Sequence, residues 1–313
     1  MDKIPTRKAF GETLVELGEE YPDILVLEAD ISKSTYTNMF AKKFPERFFN
    51  VGCAEQNEMA IAAGMATCGK IPFVSTYAIF ASMRACEQIR TFIAYPRLNV
   101  KIAVSHGGVT PGSDGVTHQA TEDMGIIRTI PNMTIIMPAD AVATKKLVRQ
   151  AVEKEGPIYL RFTRDPVPVI YEETVNLEIG KANIIREGTD ATIIAIGDMV
   201  SKAIEASDKL KEEGISVRVI DMHTLKPIDE NSLIDSAKKT HALVTVEDHN
   251  FINGLGSAVA EVIVENEPVP MRRIGLKDTF AESGTYEELL TKYHLNVQDI
   301  IEAVKDVIKR KNR

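Results

Sequence analysis

The absences in this 313-residue sequence exclude several functions before any motif is read. Cysteine is sparse: Cys53, Cys68 and Cys86 form no Cys-x-x-Cys pair, which excludes a disulfide-built scaffold and fits a reducing cytosol. Basic charge is not in excess. The formal net charge of -8 argues against a nucleic-acid partner, which would select a basic face. No stretch of about 18 uncharged apolar residues occurs, so no membrane span is expected. The first ten residues scatter Asp2, Lys3, Arg7 and Lys8 among apolar positions and lack a signal-peptide core, so the expected location is the cytoplasm. The histidines lack the i, i+4 spacing beside a carboxylate that zinc sites use, and no metal site is expected on this chain. Internal repeats and low-complexity tracts are absent, and the terminal KRKNR reads as a solvated basic tail.

What is present is an ordinary globular composition, 44% hydrophobic and 26% charged, in a chain long enough for two domains. Short β-branched runs alternate with amphipathic stretches. Helices are expected over Thr6–Tyr21 and about Ala54–Cys68, and strands over Ile24–Glu28, Phe48–Gly52, Pro72–Thr76, Val100–Ser105, Thr134–Met137 and Ile158–Phe162. Asp165–Gly180, with Pro166, Pro168 and acidic residues, reads as a linker. A second series follows, with strands at Ala191–Ile196, Val217–Asp221 and Leu243–Glu247 and helices at Val200–Glu213, Gly256–Glu265 and Asn296–Lys309. The pattern predicts an α/β fold of two domains, each a mainly parallel sheet flanked by helices, divided as 1–180 (linker from about 165) and 181–313. Ligands in such folds sit where strands end and helices begin.

Three segments fall at such places. In VGCAEQNEM (Val51–Met59) a strand gives way to a helix near Ala54, which puts Glu55 at the helix start. A carboxylate there complements the helix dipole by about 0.3–1 kcal/mol; the alternative is a glutamate aimed into a cleft as a proton donor. In SHGGVTPGSDGVTHQ (Ser105–Gln119), His106, Asp114 and His118 share a glycine-rich loop after a strand, where the backbone can approach a ligand. The loop has no Gly-Lys-Ser/Thr end and is not a phosphate-binding P-loop. In STYAIF (Ser75–Phe80), Tyr77 and Phe80 share a helix face, and core packing alone would explain them. Arg164 follows a strand and could be a surface charge.

Together these segments resemble the C-terminal half of transketolase, in order and over nearly the whole chain. DGVTHQ (Asp114–Gln119) carries most weight, with the stretch Pro131–Asp140 ending in PAD, TRK (Thr6–Lys8), EAD (Glu28–Asp30) and AEQ (Ala54–Gln56) at the expected intervals. The resemblance implies a thiamine-diphosphate-dependent transferase of the pentose phosphate pathway type, with a pyrimidine-binding domain followed by the family's C-terminal domain. Glu55 resembles the glutamate that bonds the aminopyrimidine ring nitrogen. There it favours the imino form of the 4'-amino group, which removes the thiazolium proton. Tyr77 and Phe80 resemble the wall around the pyrimidine, and Asp30 and Ile31 a turn that contacts cofactor or acceptor. Asp114 resembles a residue that reads a substrate hydroxyl, and His118 a catalytic histidine beside the donor's first carbons. Arg7, Ser34, His106 and Arg164 match positions that hold the acceptor's phosphate.

Departures accompany the resemblance. Gln56 stands where many transketolases have His, and Met83 at a third aromatic position of the pocket. The family holds the diphosphate and its cation with a Gly-Asp-Gly segment followed by Asn, which the sequence does not show; Gly112–Gly115 (GSDG) lies in another context. The resemblance therefore implies a split enzyme. An N-terminal partner subunit would hold the diphosphate and magnesium or calcium, this chain would be inactive alone, and self-association through the pyrimidine domain would give a heterotetramer. The substrates would be sugar phosphates. Two related activities share the plan: the beta subunit of a 2-oxo-acid dehydrogenase, and a deoxyxylulose-phosphate-synthase-like enzyme. The DGVTHQ loop with His106 upstream favours transketolase over the dehydrogenase subunit, and a deoxyxylulose-phosphate synthase is normally one longer chain. No role is assigned to His223 or His249.

Overall fold

The structure is a computed structural model and describes residues 2–311. Its strands, in chain order, are β1 (Lys3–Ile4), β2 (Ile24–Glu28), β3 (Phe48–Asn50), β4 (Ile71–Ser75), β5 (Lys101–Val104), β6 (Thr134–Ile136), β7 (Ile158–Arg161), β8 (Val167–Pro168), β9 (Asn183–Arg186), β10 (Ala191–Ala195), β11 (Val217–Asp221), β12 (Thr224–Lys226), β13 (Leu243–Asn250) and β14 (Met271–Leu276). Seven form a sheet in the order β12-β6-β7-β5-β4-β2-β3, parallel except at β12. Five form a second sheet, β14-β13-β10-β11-β9, parallel except at edge strand β9. The α/β architecture follows from near-continuous apolar strands such as ILVLE, which need cover on both faces.

Alternation along the strands assigns those faces. Ile24 and Val26 of β2 pack with Phe10, Leu14 and Leu17 of the helix Thr6–Glu20, while Leu27 turns to Met59 and Ala62 of the helix Glu55–Thr67. In β10, Ile193 faces an outer core with the helices Met199–Glu212 and Val297–Lys311, and Ile194 faces inward. The inward side chains of both sheets join one cluster, so the two domains share a middle helical layer. Among the described residues no helix is long and apolar enough to cross a membrane.

Two segments depart from the sequence pattern. The stretch read as a linker is packed: β8 pairs antiparallel with β1, and Leu177 is buried in the first domain's outer core. Asp140 of the PAD motif fixes it. One carboxylate oxygen accepts from the Ala143 N–H and caps the helix Ala141–Glu153, and the other accepts from Ile170 and Tyr171 at 2.7 and 2.8 Å. The second departure is β12, which lies beyond the linker yet pairs antiparallel with β6 at the edge of the first sheet.

The domains meet over a buried polar junction. Arg161, at the end of β7, is fully buried; its Nε donates to Asp123 at 2.9 Å, and its NH2 donates to the carbonyls of Ala120 and Asp248. Tyr159 donates to the same Asp123 oxygen at 2.8 Å. From the second domain, the Asp248 carboxylate accepts the Val109 N–H at 3.0 Å, and His249 Nε2 accepts the Gly125 N–H at 3.2 Å. His249 is thus a structural residue, held neutral because burial pushes its pKa down to about 4. His223 is likewise buried, with Nδ1 against the Thr224 hydroxyl and its pKa down to about 4. Two glycines let the loop after β5 pass this junction. A Cβ at Gly107 would meet Arg161 Nε at 2.5 Å, and one at Gly108, where φ is +63°, would meet Asp248 Oδ2 at 2.0 Å.

Removing one partner of a fully buried ion pair leaves the other charge uncompensated, at a cost of about 3–5 kcal/mol. Arg161→Met is therefore expected to lower unfolding stability by about that amount. Urea unfolding followed by far-UV circular dichroism measures it; a loss below about 1 kcal/mol would show that the junction does not hold the domains.

Candidate functional site

Five neighbouring parallel strands, β7, β5, β4, β2 and β3, end on the same edge of the first sheet. The segments that follow them carry Arg164 (after β7), His106, Asp114 and His118 (after β5), Tyr77 and Phe80 (after β4), Asp30, Ile31 and Ser34 (after β2), and Glu55 (after β3). Arg7 joins them from the first turn of the helix Thr6–Glu20. The start of that helix is tied to the end of β7, because the Thr6 hydroxyl accepts the Thr163 N–H at 2.8 Å.

One group of these side chains is cationic. Arg7 Nε donates to the Arg164 carbonyl at 3.1 Å, its NH1 bonds the Ser34 carbonyl, and its guanidinium lies 5.5 Å from the Tyr36 ring centroid. Burial lowers the Arg7 pKa, and Arg164 nearby adds to that. Arg164 NH1 donates to the Pro111 carbonyl at 2.6 Å, and its NH2 lies 3.8 Å from an Asp114 oxygen. Both guanidinium charges act on the neighbouring His106 ring, and guanidinium forks match the oxygens of an anion.

The second group is aromatic. The Tyr77 ring lies 3.9 Å from the His106 ring, 5.6 Å from Phe80 and 5.7 Å from His118; His118 meets Phe80 edge-on at 5.6 Å. His106 has φ +65°, a left-handed conformation that costs a side chain about 1–3 kcal/mol. Neighbouring strands impose it: Ser105 donates to the Thr76 carbonyl, and Gly107 to that of Phe162. Its Nδ1 pairs with the Ser105 hydroxyl at 2.8 Å. Burial, then the Arg7 and Arg164 cations, push its pKa down to about 2.

The third group is acidic. Glu55 is the first residue of its helix and only 3% exposed. Arg84 NH1 sits between its two carboxylate oxygens, at 2.9 and 3.0 Å, and the same guanidinium lies 4.4 Å over the Phe80 ring. Over Phe80–Arg84 the helix is wound wide, with Ala85 donating to the Phe80 carbonyl five residues back. Met83, expected at the third aromatic position, is half exposed, and Arg84 stands against Phe80 in its place. Gln56 ties the same turn by donating to the Arg84 carbonyl at 3.1 Å. Behind Glu55 lie two more buried carboxyls. Glu28 accepts the Thr35 hydroxyl at 2.6 Å and the Ile31 N–H at 2.7 Å, and burial raises its pKa to about 7. Glu58 is completely buried, and desolvation, then Glu28 and Glu55, raise its pKa well above the usual range.

The structure thus brings Arg7, Ser34, His106, Asp114 and Arg164 together, and joins them through His106 to Tyr77, Phe80 and His118. Glu55 reaches this group through Arg84. Asp30 and Ile31 stand apart: Asp30 bonds Asn50 at 2.9 Å on the surface, and the Ile31 N–H serves Glu28. Arg84, Tyr36 and Glu58 are additions that sequence reading did not single out. Arg84 lies four residues after Phe80, and this helical spacing was the available signal.

A folded-state pKa of about 2 against an ordinary 6.5 keeps the His106 imidazole neutral across pH 5–8. The stability tied to its neutral form is complete above pH 6.5 and is lost as pH falls from there towards 2. Nitrogen-15 NMR of the ring is expected to show no titration between pH 5 and 8. A midpoint near 6.5 would place the ring in solvent.

Comparison with known proteins places this geometry. Residues 2–169 match the transketolase pyrimidine-binding domain, and residues 180–300 the transketolase C-terminal domain. The chain is 50% identical over 307 residues to a putative transketolase C-terminal section of Methanocaldococcus jannaschii, covering 97% of this chain and 96% of that one. It is 40% identical over 306 residues to a 6-deoxy-6-sulfo-D-fructose transketolase subunit of a Clostridium species, covering 98% and 95%. A solved structure described as a split gene transketolase, inactive beta4 tetramer, superposes with a TM-score of 0.92 at 51% identity, covering 98% of this chain and 99% of that one. With two family domains in order and relatives matched along nearly their full length, the chain belongs to the transketolase family and corresponds to its C-terminal section.

Proposed function

We propose that this chain is the C-terminal subunit of a split transketolase that transfers a two-carbon ketol unit from a ketose phosphate to an aldose phosphate. The observation that carries the reading is the arrangement around Glu55: a buried carboxylate at a helix start, joined through Arg84 to Phe80 of an aromatic cluster that also holds Tyr77 and His106. Thiamine diphosphate, when bound, supplies the carbon that takes up and passes on the two-carbon unit.

The side chains fit the cofactor's pyrimidine end. Glu55 already holds a planar N–H donor between its oxygens and against Phe80, in the form of the Arg84 guanidinium. A protonated ring nitrogen can be held in the same way, with Tyr77 and Phe80 excluding water from its face. Positioned proton transfer of this kind contributes about 10²–10⁴-fold to rate. We assign the diphosphate and its magnesium or calcium to an N-terminal partner. His118, edge-on to Phe80, is placed to handle protons at the sugar's hydroxyls. Neutral His106 can donate one hydrogen bond without adding charge. We assign Asp114 to accept from a sugar hydroxyl, and Arg7 and Arg164, with Ser34, to hold a phosphate. Asp30 and Ile31 are the outermost residues of this assignment, at the rim after β2.

We further propose a division at about residue 180, self-association through the first domain, and a cytoplasmic location. Half-exposed Met83, Phe92 and Phe49 and well-exposed Tyr95 give the first domain apolar surface for that association. A relative assembled from this half alone is described as an inactive tetramer, and we expect this chain alone to be inactive too.

The test is turnover of xylulose 5-phosphate and ribose 5-phosphate by this chain mixed with an N-terminal transketolase subunit. Activity is expected only in the mixture, and Glu55→Gln should reduce it by about 10²-fold or more with the fold intact. Activity of that variant within a fewfold of the parent would remove Glu55 from the mechanism. Arg164→Ala tests the phosphate assignment separately: the apparent KM should rise about tenfold or more for ribose 5-phosphate and little for glycolaldehyde. Equal effects on both acceptors would give Arg164 another role.

A further inference from the structure

We infer that Arg84 is an internal occupant of the pyrimidine site, a residue that sets cofactor affinity by competing for Glu55. The inference rests on the reading of Glu55 and Phe80 as the pyrimidine's carboxylate and platform. Both are engaged by this one side chain. Its NH1 lies at 2.9 and 3.0 Å from the two Glu55 oxygens, the place a ring N–H must take. Its guanidinium carbon lies over Phe80, 4.4 Å from the ring centroid, where the pyrimidine's face must lie. A flat, cationic, nitrogen-donating group stacked on an aromatic ring reproduces the contacts of a protonated aminopyrimidine, so the two cannot be bound together.

The local backbone makes this occupancy possible. In the wide-wound turn Phe80–Arg84, the Arg84 carbonyl is held by Gln56, the neighbour of Glu55, at 3.1 Å. This anchors the base of the side chain beside the carboxylate. Its head is free to leave: the Arg84 side chain is 52% exposed, whereas Glu55 is 4%. A half-exposed ion pair is weak and screened by salt. The latch is therefore one that a ligand can displace, and the apparent affinity falls by the fraction of molecules in which the site is open.

The probe is 4-amino-5-hydroxymethyl-2-methylpyrimidine, the pyrimidine end without diphosphate, titrated into the full chain at pH 6, where its ring nitrogen is in part protonated, and followed by ligand-observed NMR. Arg84→Ala is expected to bind it about three- to tenfold more tightly than the parent, and Arg84→Lys, which keeps the charge but not the flat fork, to fall between the two. Added salt should tighten binding to the parent and leave Arg84→Ala unchanged. Glu55→Gln should abolish binding with or without Arg84→Ala. Equal or weaker binding by Arg84→Ala, or no binding by any variant, overturns the latch. If instead Arg84→Ala binds and Glu55→Gln makes no difference in that background, the probe does not sit on Glu55, and the assignment of Glu55 to the pyrimidine falls with it.

Discussion

The fully buried Arg161 guanidinium is the interaction on which the arrangement depends. It stands at the end of a central strand, pairs with Asp123, and donates to carbonyls from both domains. Desolvating this charge is costly, and the surrounding acceptors and carboxylates offset that cost only if all stay in place. The consequence is geometric. Gly107 and Gly108 lie against Arg161 and Asp248 with no room for a Cβ, so the loop carrying His106, Asp114 and His118 takes its path from the domain junction. The second domain, which supplies none of the candidate site residues, positions the site through Asp248 and His249.

The edge of the first sheet does the rest. Parallel strands end together, and each following segment contributes one or a few functional side chains. The cations are not left bare: Arg7 and Arg164 are bonded to carbonyls, which orients their heads, and the Asp114 carboxylate 3.8 Å from Arg164 offsets part of the positive charge. His106 stays neutral beside them because burial and two guanidinium groups oppose its protonation. The acidic side is built differently. Glu28 is held by hydroxyl and N–H donors, Glu58 is completely buried beside Glu28 and Glu55, and Glu55 alone of the three is met by a half-exposed cation, Arg84.

By itself the sequence determined the α/β class, the two-domain plan and the candidate residues. Apolar runs such as ILVLE and ATIIAI cannot be exposed, and their alternation with amphipathic stretches admits few folds. Motif order carried the family, because TRK, EAD, AEQ and DGVTHQ keep their chemistry in the letters themselves. The helix Ala141–Glu153 was within reach as well, since Asp140 before an amphipathic run is a capping signal.

Other features were decided only by tertiary structure. The short strand β12 owes its place in the first sheet to pairing with β6, a contact made across the chain that no local pattern encodes. The linker between the two domains packs against the first because Asp140 and β1 supply its hydrogen bonds. Sequence reading does not single out Arg84 in the string ASMRACE, and the structure brings it, on a wide-wound turn, onto Glu55 and Phe80. Asp30 sits in a recognisable motif, and its left-handed backbone and bond with Asn50 on the surface appear only in the structure. Local sequence sets which groups are available and which elements form. Which of those groups meet depends on strand order, burial and backbone winding, and these emerge only when the whole chain has packed.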